Sequence, residues 1–105
     1  MNPQVYTIEQ IKDRIEPVVR STPVRKVILS GSYARGKASR LSDIDLLIDS
    51  GGALCGYSFF GLYDRLEKQL RKSVDLIDKV DLEEESALYR EISSNGVIIY
   101  EQVQE

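Results

Sequence analysis

The run from Ser30 to Asp49, SGSYARGKASRLSDIDLLID, restricts the fold more than any other part of the chain. A stretch of β-branched character, Val24 to Ser30, leads into Gly31-Ser32, and ten residues later Asp43 and Asp45 open a second apolar run that ends at Ile48. Ile44, Leu46 and Ile48 alternate with the acids, which is the period of a strand. Both carboxylates therefore share one side of it, about 7 Å apart along the backbone. Two like charges converging on one place are costly unless something positive lies between them, and magnesium takes oxygen ligands of this type. The pattern is not a calcium loop, because Leu47 occupies the third liganding place. An exposed polar face at the start of a strand is the plainer alternative.

Gly31 permits close approach of backbone to a ligand, Ser32 offers a hydroxyl and an amide, and Tyr33-Ala34-Arg35 reads as the first turn of a short helix whose free amides face an anion. Taken alone, Gly31-Ser32 is more simply a plain strand-to-helix turn. It is neither a P-loop nor the dinucleotide fingerprint. Arg35, Lys37 and Arg40 lie in the connecting loop, where cations can neutralise a triphosphate or simply be solvated. Ser42 is a candidate for orienting the carboxylates.

Composition narrows the function. The 105 residues are expected to form a single domain, residues 1–105, with a real core, and with no room for a separate substrate domain. A net charge of -3 gives no basic footprint for gripping nucleic acid directly. The absence of histidine excludes His-based triads and imidazole bases, and the single cysteine, Cys55, excludes an internal disulfide. No segment approaches the ~20 apolar residues of a membrane span and Met1-Asn-Pro-Gln lacks signal-peptide character, so a cytoplasmic protein is expected.

The remaining chain reads as support. Thr7 and Gln10 form a capping box for an amphipathic helix from residue 8 to about 20, with Pro17 expected to kink it or end it near Glu16. Ser50 to Gly56 is a glycine-rich connection near the site. The apolar character of Cys55, Tyr57, Phe59 and Phe60 fits a buried start to the next helix, with a partner-binding surface as the sharper alternative. That helix is expected from about Ser58 to Lys72, with Leu62, Leu66 and Leu70 one turn apart. Val74 to Ile77 reads as a third strand whose Asp75 is a candidate third acid, with Asp78 on the opposite face in reserve. Asp81 to Glu85 suits a helix N-terminus, Asn95-Gly96 its end, and Val97 to Tyr100 a closing strand followed by a frayed tail after Glu101. The fold expected is a small α/β (α+β) domain: a mixed, mostly antiparallel sheet of about four strands, helices on one face, and the site at an open sheet edge.

Three acids and a phosphate-binding turn are the parts needed for nucleotidyl transfer with two Mg²⁺ ions. From Val24 to about Ile77 the chain resembles the nucleotidyltransferases of the DNA polymerase beta superfamily, and it is similar to their minimal form, the MNT proteins paired with HEPN partners in toxin-antitoxin modules. The resemblance implies that Gly31 and Ser32 bind the nucleotide and that Asp43, Asp45 and Asp75 are the metal-binding catalytic triad; Arg35 and Ser42 are expected beside the turn as further nucleotide-binding residues. It further implies transfer of AMP from ATP to a tyrosine of a HEPN ribonuclease toxin, which silences that partner. Pro17 and the long Ser50 to Gly56 loop depart from the pattern and bear on docking geometry rather than catalysis. Two rivals stand beside this reading: an antitoxin that neutralises by contact alone, and a nucleotidyltransferase acting on a small hydroxylated molecule such as an antibiotic.

Overall fold

The computed structural model describes residues 4–102. Helix α1 (Ile8–Val19) leads to β1 (Lys26–Ser30), a single-turn α2 (Gly31–Ala34), β2 (Ile44–Asp49), α3 (Tyr57–Leu70), β3 (Val74–Asp78), a 3-10 turn (Lys79–Asp81), α4 (Ala87–Asn95) and β4 (Val97–Glu101). The four strands form one sheet in the order β3-β2-β1-β4. β1 pairs antiparallel with β2 and with β4, while β2 and β3 run parallel, so the sheet is mixed and mostly antiparallel as expected. β4 begins only two residues after the end of α4, and its pairing with β1 shifts register at Val27/Ile28.

Thr7 opens α1 with both halves of the capping box: its Oγ1 accepts from the Gln10 amide at 3.1 Å and its own amide donates to Gln10 Oε1 at 2.9 Å. The helix then runs through Pro17 to Val19, beyond the end expected near Glu16. The proline sits in the last turn on the exposed side, where it removes one amide, while Val18 and Val19 on the other side are buried. Burying two valines outweighs one lost hydrogen bond.

The core lies between the sheet and the paired helices α1 and α3. Leu62, Leu66 and Leu70 of α3 meet Ile11 and Ile15 of α1 and the inward residues Val27, Leu29, Ile44, Leu46 and Ile48. Tyr6 ties the two helices together by donating its hydroxyl to the Leu70 carbonyl at 2.7 Å, with the Arg14 guanidinium stacked 4.9 Å above its ring. Leu66 is fully buried at 0% exposure. Leu66→Ala is therefore expected to cost about 2–5 kcal/mol, read as a lower urea midpoint at unchanged slope; a loss under ~1 kcal/mol would mean that this layer collapses around the gap.

The two long helices share one face, and the shorter α4 packs on the other. There Ile92 meets Ile28 and Leu47, which alternate with the core residues of β1 and β2. A Cβ on Gly96 would run into the Ile92 carbonyl and stand 2.7 Å from Ile28 Cγ2, so glycine is what lets α4 turn back against β1. The acidic run does not begin this helix. Asp81 ends the 3-10 turn, Glu83 to Glu85 precede the helix, and the Ser86 hydroxyl is the cap, accepting from the Tyr89 amide at 3.1 Å. Of the frayed tail expected after Glu101, Gln102 still donates its amide to the Arg25 carbonyl at 2.7 Å, and residues 103–105 lie outside the described residues.

Candidate active site

The sheet sets three side chains abreast. Ser30, the last residue of β1, pairs with Asp45 of β2, and Asp45 pairs with Asp75 of β3. Cross-strand partners share a face, here the face under α4. Asp45 stands on an interior strand, so the site spans the ends of three strands instead of running along a lateral edge. Asp43 precedes β2 and is exposed, and the Ile44 amide between the two acids donates to the Ser73 carbonyl at 3.0 Å, which pins this end of β2 to β3.

Gly31 has a tighter reason to be glycine than access for a ligand. Its φ is +68°, and a Cβ placed on it would overlap Asp45 Oδ2 and stand 3.0 Å from the carboxyl carbon. The Asp45 carboxylate lies directly on the turn backbone, so the turn and the carboxylate are one unit rather than neighbours.

The two acids on this face of β2 respond in opposite directions to their surroundings. The Asp45 carboxyl is pushed above the ordinary carboxylate range, first by burial, then by the charges of Asp75 and Asp43, with Arg35 pulling the other way. Asp49, at the far end of the same strand, is held below that range, chiefly by the Gly51 amide donating to it at 3.0 Å and further by Arg25 at 3.2 Å and Lys79 at 3.7 Å. Asp49 has its cations already and Asp45 does not. A half-buried carboxylate crowded by two others is a place for a cation to bind.

Arg35 caps the end of α2 and reaches across to α4, where its guanidinium pairs with Glu91; the other Glu91 oxygen accepts from Asn95 Nδ2 at 3.1 Å. Ser32 is half-buried and its carbonyl accepts from the Lys37 amide at 2.9 Å. The Ser42 hydroxyl is taken up within the loop, accepting from the Ser39 amide at 2.9 Å, so it shapes the approach to Asp43 instead of touching a carboxylate. Asp78 is on the opposite face, buried, with Oδ1 accepting from the Val80 amide at 3.1 Å; the reserve candidate is not part of this site.

A cavity of about 210 Å³ opens between the strand ends and α4, lined by Ser30, Gly31, Asp45, Asp75, Leu88 and Glu91 among others. Glu91 escaped the sequence reading, although its place beside Ile92 on the helix that carries Leu88 marks it as near the inward face. Two further supports escaped it as well. Lys72, buried at 4% exposure, donates to the Arg40 carbonyl at 3.2 Å, and Glu67 accepts from the Val74 amide at 3.0 Å, just ahead of Asp75. At a helix end both read as ordinary surface charges.

Among the described residues, no three acidic, histidine or cysteine side chains close into a ready-made metal cage. The donor set fits magnesium in its usual manner, in which one or two carboxylates hold the ion and substrate phosphates and water complete its shell. Asp43, Asp45 and Asp75 supply hard oxygen donors without competing nitrogen or sulfur.

The polymerase beta nucleotidyltransferase model matches residues 9–105. The chain belongs to that family. Within this nucleotidyltransferase family it is similar to two candidate protein adenylyltransferases of Methanocaldococcus jannaschii. MJ0435 is 34% identical over 70 residues, covering 67% of this chain and 75% of that protein; MJ1215 is 32% identical over 83 residues, covering 75% and 96%. The fold recurs in a toxin-antitoxin crystal structure with AMP-PNP, at a TM-score of 0.74 and 24% identity over 87% of this chain and 73% of that one. It recurs again in the complex of a tri-AMPylated Shewanella oneidensis HEPN toxin with its MNT antitoxin, at 0.69 and 19% over 91% and 74%. At these identities the two structures speak for the fold alone.

Proposed function

We propose that this nucleotidyltransferase transfers AMP from ATP to a tyrosine hydroxyl of a HEPN-type ribonuclease toxin in the cytoplasm, and so acts as its antitoxin. The observation that carries the reading is the Asp45 carboxylate seated on the Gly31 turn, which sets the turn proposed to bind phosphates against a carboxylate proposed to bind cations. The candidate protein adenylyltransferases of M. jannaschii support the reaction class; the HEPN toxin as acceptor follows the AMPylated toxin seen with an MNT antitoxin of the same fold, and tyrosine as the modified residue follows from the family resemblance.

In this reading the Gly31 and Ser32 amides and the Ser32 hydroxyl hold the β- and γ-phosphates, and Asp43, Asp45 and Asp75 hold two Mg²⁺ ions. The bound magnesium would neutralise the phosphates and lower the pKa of the attacking hydroxyl. The acceptor oxygen forms its bond to the α-phosphorus, the bond from that phosphorus to the bridging oxygen breaks, and pyrophosphate leaves from the Gly31-Ser32 end. Asp75, exposed at the mouth on the edge strand β3, accepts the hydroxyl proton. Glu91 keeps Arg35 beside the turn, where its guanidinium meets the leaving phosphates. Positioning and charge neutralisation carry most of the rate.

The test is to incubate the protein in its host's lysate with Mg²⁺ and each α-phosphate-labelled nucleotide in turn, with Asp43→Asn as control. A labelled protein band that requires ATP and the wild-type carboxylate is expected, and its tryptic map should place the label on tyrosine. Label in small molecules would move the assignment to an antibiotic-type transferase. No label, with toxin still neutralised by Asp43→Asn, would leave contact alone as the mechanism.

A further inference from the structure

A second feature lies on the other face of the sheet, at the amino-terminal end of α3. Tyr57 is 97% exposed, Phe60 68% and Val80 64%, so the buried helix start expected here holds only for Leu54 and the half-buried Phe59. Leu54, Phe59, Phe60 and Val80 line an open cleft of about 270 Å³ between the glycine-rich loop, the first turn of α3 and the turn after β3. Asp78 and Asp81 stand among them.

The acids in this apolar setting lack cations. Asp78 is 3% exposed, and while Oδ1 caps the 3-10 turn, Oδ2 has no hydrogen-bond partner among the described residues. Asp81 is exposed and makes no ion pair among the described residues, and the neighbouring Lys79 points away to Asp49. A buried carboxylate oxygen without a donor is an unfilled acceptor, and native structures hold few of these. A second copy of the chain is a poor occupant, because symmetric pairing would set these acids against themselves.

We propose that this cleft docks a segment of another protein that carries an arginine or lysine flanked by apolar residues. The cation meets Asp81 at the mouth, where its charge also offsets the buried Asp78 carboxylate behind it, while Phe60 and Val80 cover the apolar flanks. The cleft lies on the face opposite the Asp45 site, so docking is separable from transfer.

Cys55, the single cysteine, is exposed on the cleft rim and takes a benzophenone maleimide. After irradiation in host lysate, the crosslinked peptides are sequenced. The expected result is a segment with Arg or Lys beside large apolar residues, its yield falling at least about tenfold in Asp81→Asn and in Phe60→Ser, both exposed positions that leave the melting temperature unchanged. Asp78→Asn should lower the yield likewise; because Asp78 caps a turn, its folding is checked separately. Asp43→Asn should crosslink like the wild type, so a loss of transfer and a loss of docking are read apart. Crosslinks only to segments without a cation, only to another copy of this chain, unchanged in the variants, or absent would each overturn the proposal.

Discussion

Asp45→Asn is expected to abolish nucleotidyl transfer and, in the same variant, to raise the melting temperature at neutral pH. The first effect follows from removing a charged oxygen where the proposed phosphate and cation sites meet. Charge stabilisation worth several kcal/mol corresponds to a fall in rate on the order of 10³-fold. The second follows from the direction of the Asp45 shift. Burial and the charges of Asp75 and Asp43 raise its pKa above the ordinary 3.8, so the folded chain holds this proton more tightly than the unfolded chain. Between the ordinary and the raised pKa the folded state binds more protons, and stability falls as pH rises through that window. Above it the wild type carries an ionised carboxylate in an unfavourable place, and the isosteric amide does not. The gap in melting temperature between variant and wild type should therefore be small near pH 3.8 and grow toward pH 7. Calorimetry across this range measures it. A variant less stable than the wild type by the same margin at every pH would mean that packing, not charge, controls this position. The outcome is the usual trade at an active site, where the group that does the chemistry is the one the fold tolerates least.

Gly31→Ala is expected to lose transfer by about 10²-fold or more while remaining folded. An alanine at φ +68° costs about 1–2 kcal/mol of backbone strain. Its methyl group must also displace the Asp45 carboxylate, and a shift of ~1 Å in a catalytic group can cost 10²-fold. Gly36→Ala separates the two effects. Gly36 has nearly the same conformation, φ +71°, but nothing lies within 4 Å of the place its Cβ would take. It should show a similar loss of stability, about 1–2 kcal/mol, with transfer largely kept. Equal losses of activity in the two variants would show that backbone conformation matters and the contact with Asp45 does not.

The parts of this protein that depend on short-range order were open to reading from the chain. The capping box at Thr7, the leucines one turn apart in α3, and the alternation of acids with Ile44, Leu46 and Ile48 all follow from the 3.6- and 2-residue periods of local structure. The glycine turn and Asp45 could be recognised for the same reason, since the period of β2 turns Asp45 away from Ile44, Leu46 and Ile48 whatever surrounds it, whereas Asp43, expected in the same strand, lies just ahead of it. What lay beyond reach was decided by contacts between residues far apart in sequence. α1 passes Pro17 because the valines after it find a core, and Ser86 displaces the acidic run as the cap of α4. Glu91 lies 56 residues from the Arg35 it holds, and Lys72 lies 32 from the Arg40 carbonyl it reaches. No local pattern encodes a pairing of that range. The same holds for Gly31, whose place beside a flexible turn was visible in the chain; the carboxylate lying against it appears only once β1 and β2 are paired in register, because pairing alone brings Ser30 opposite Asp45.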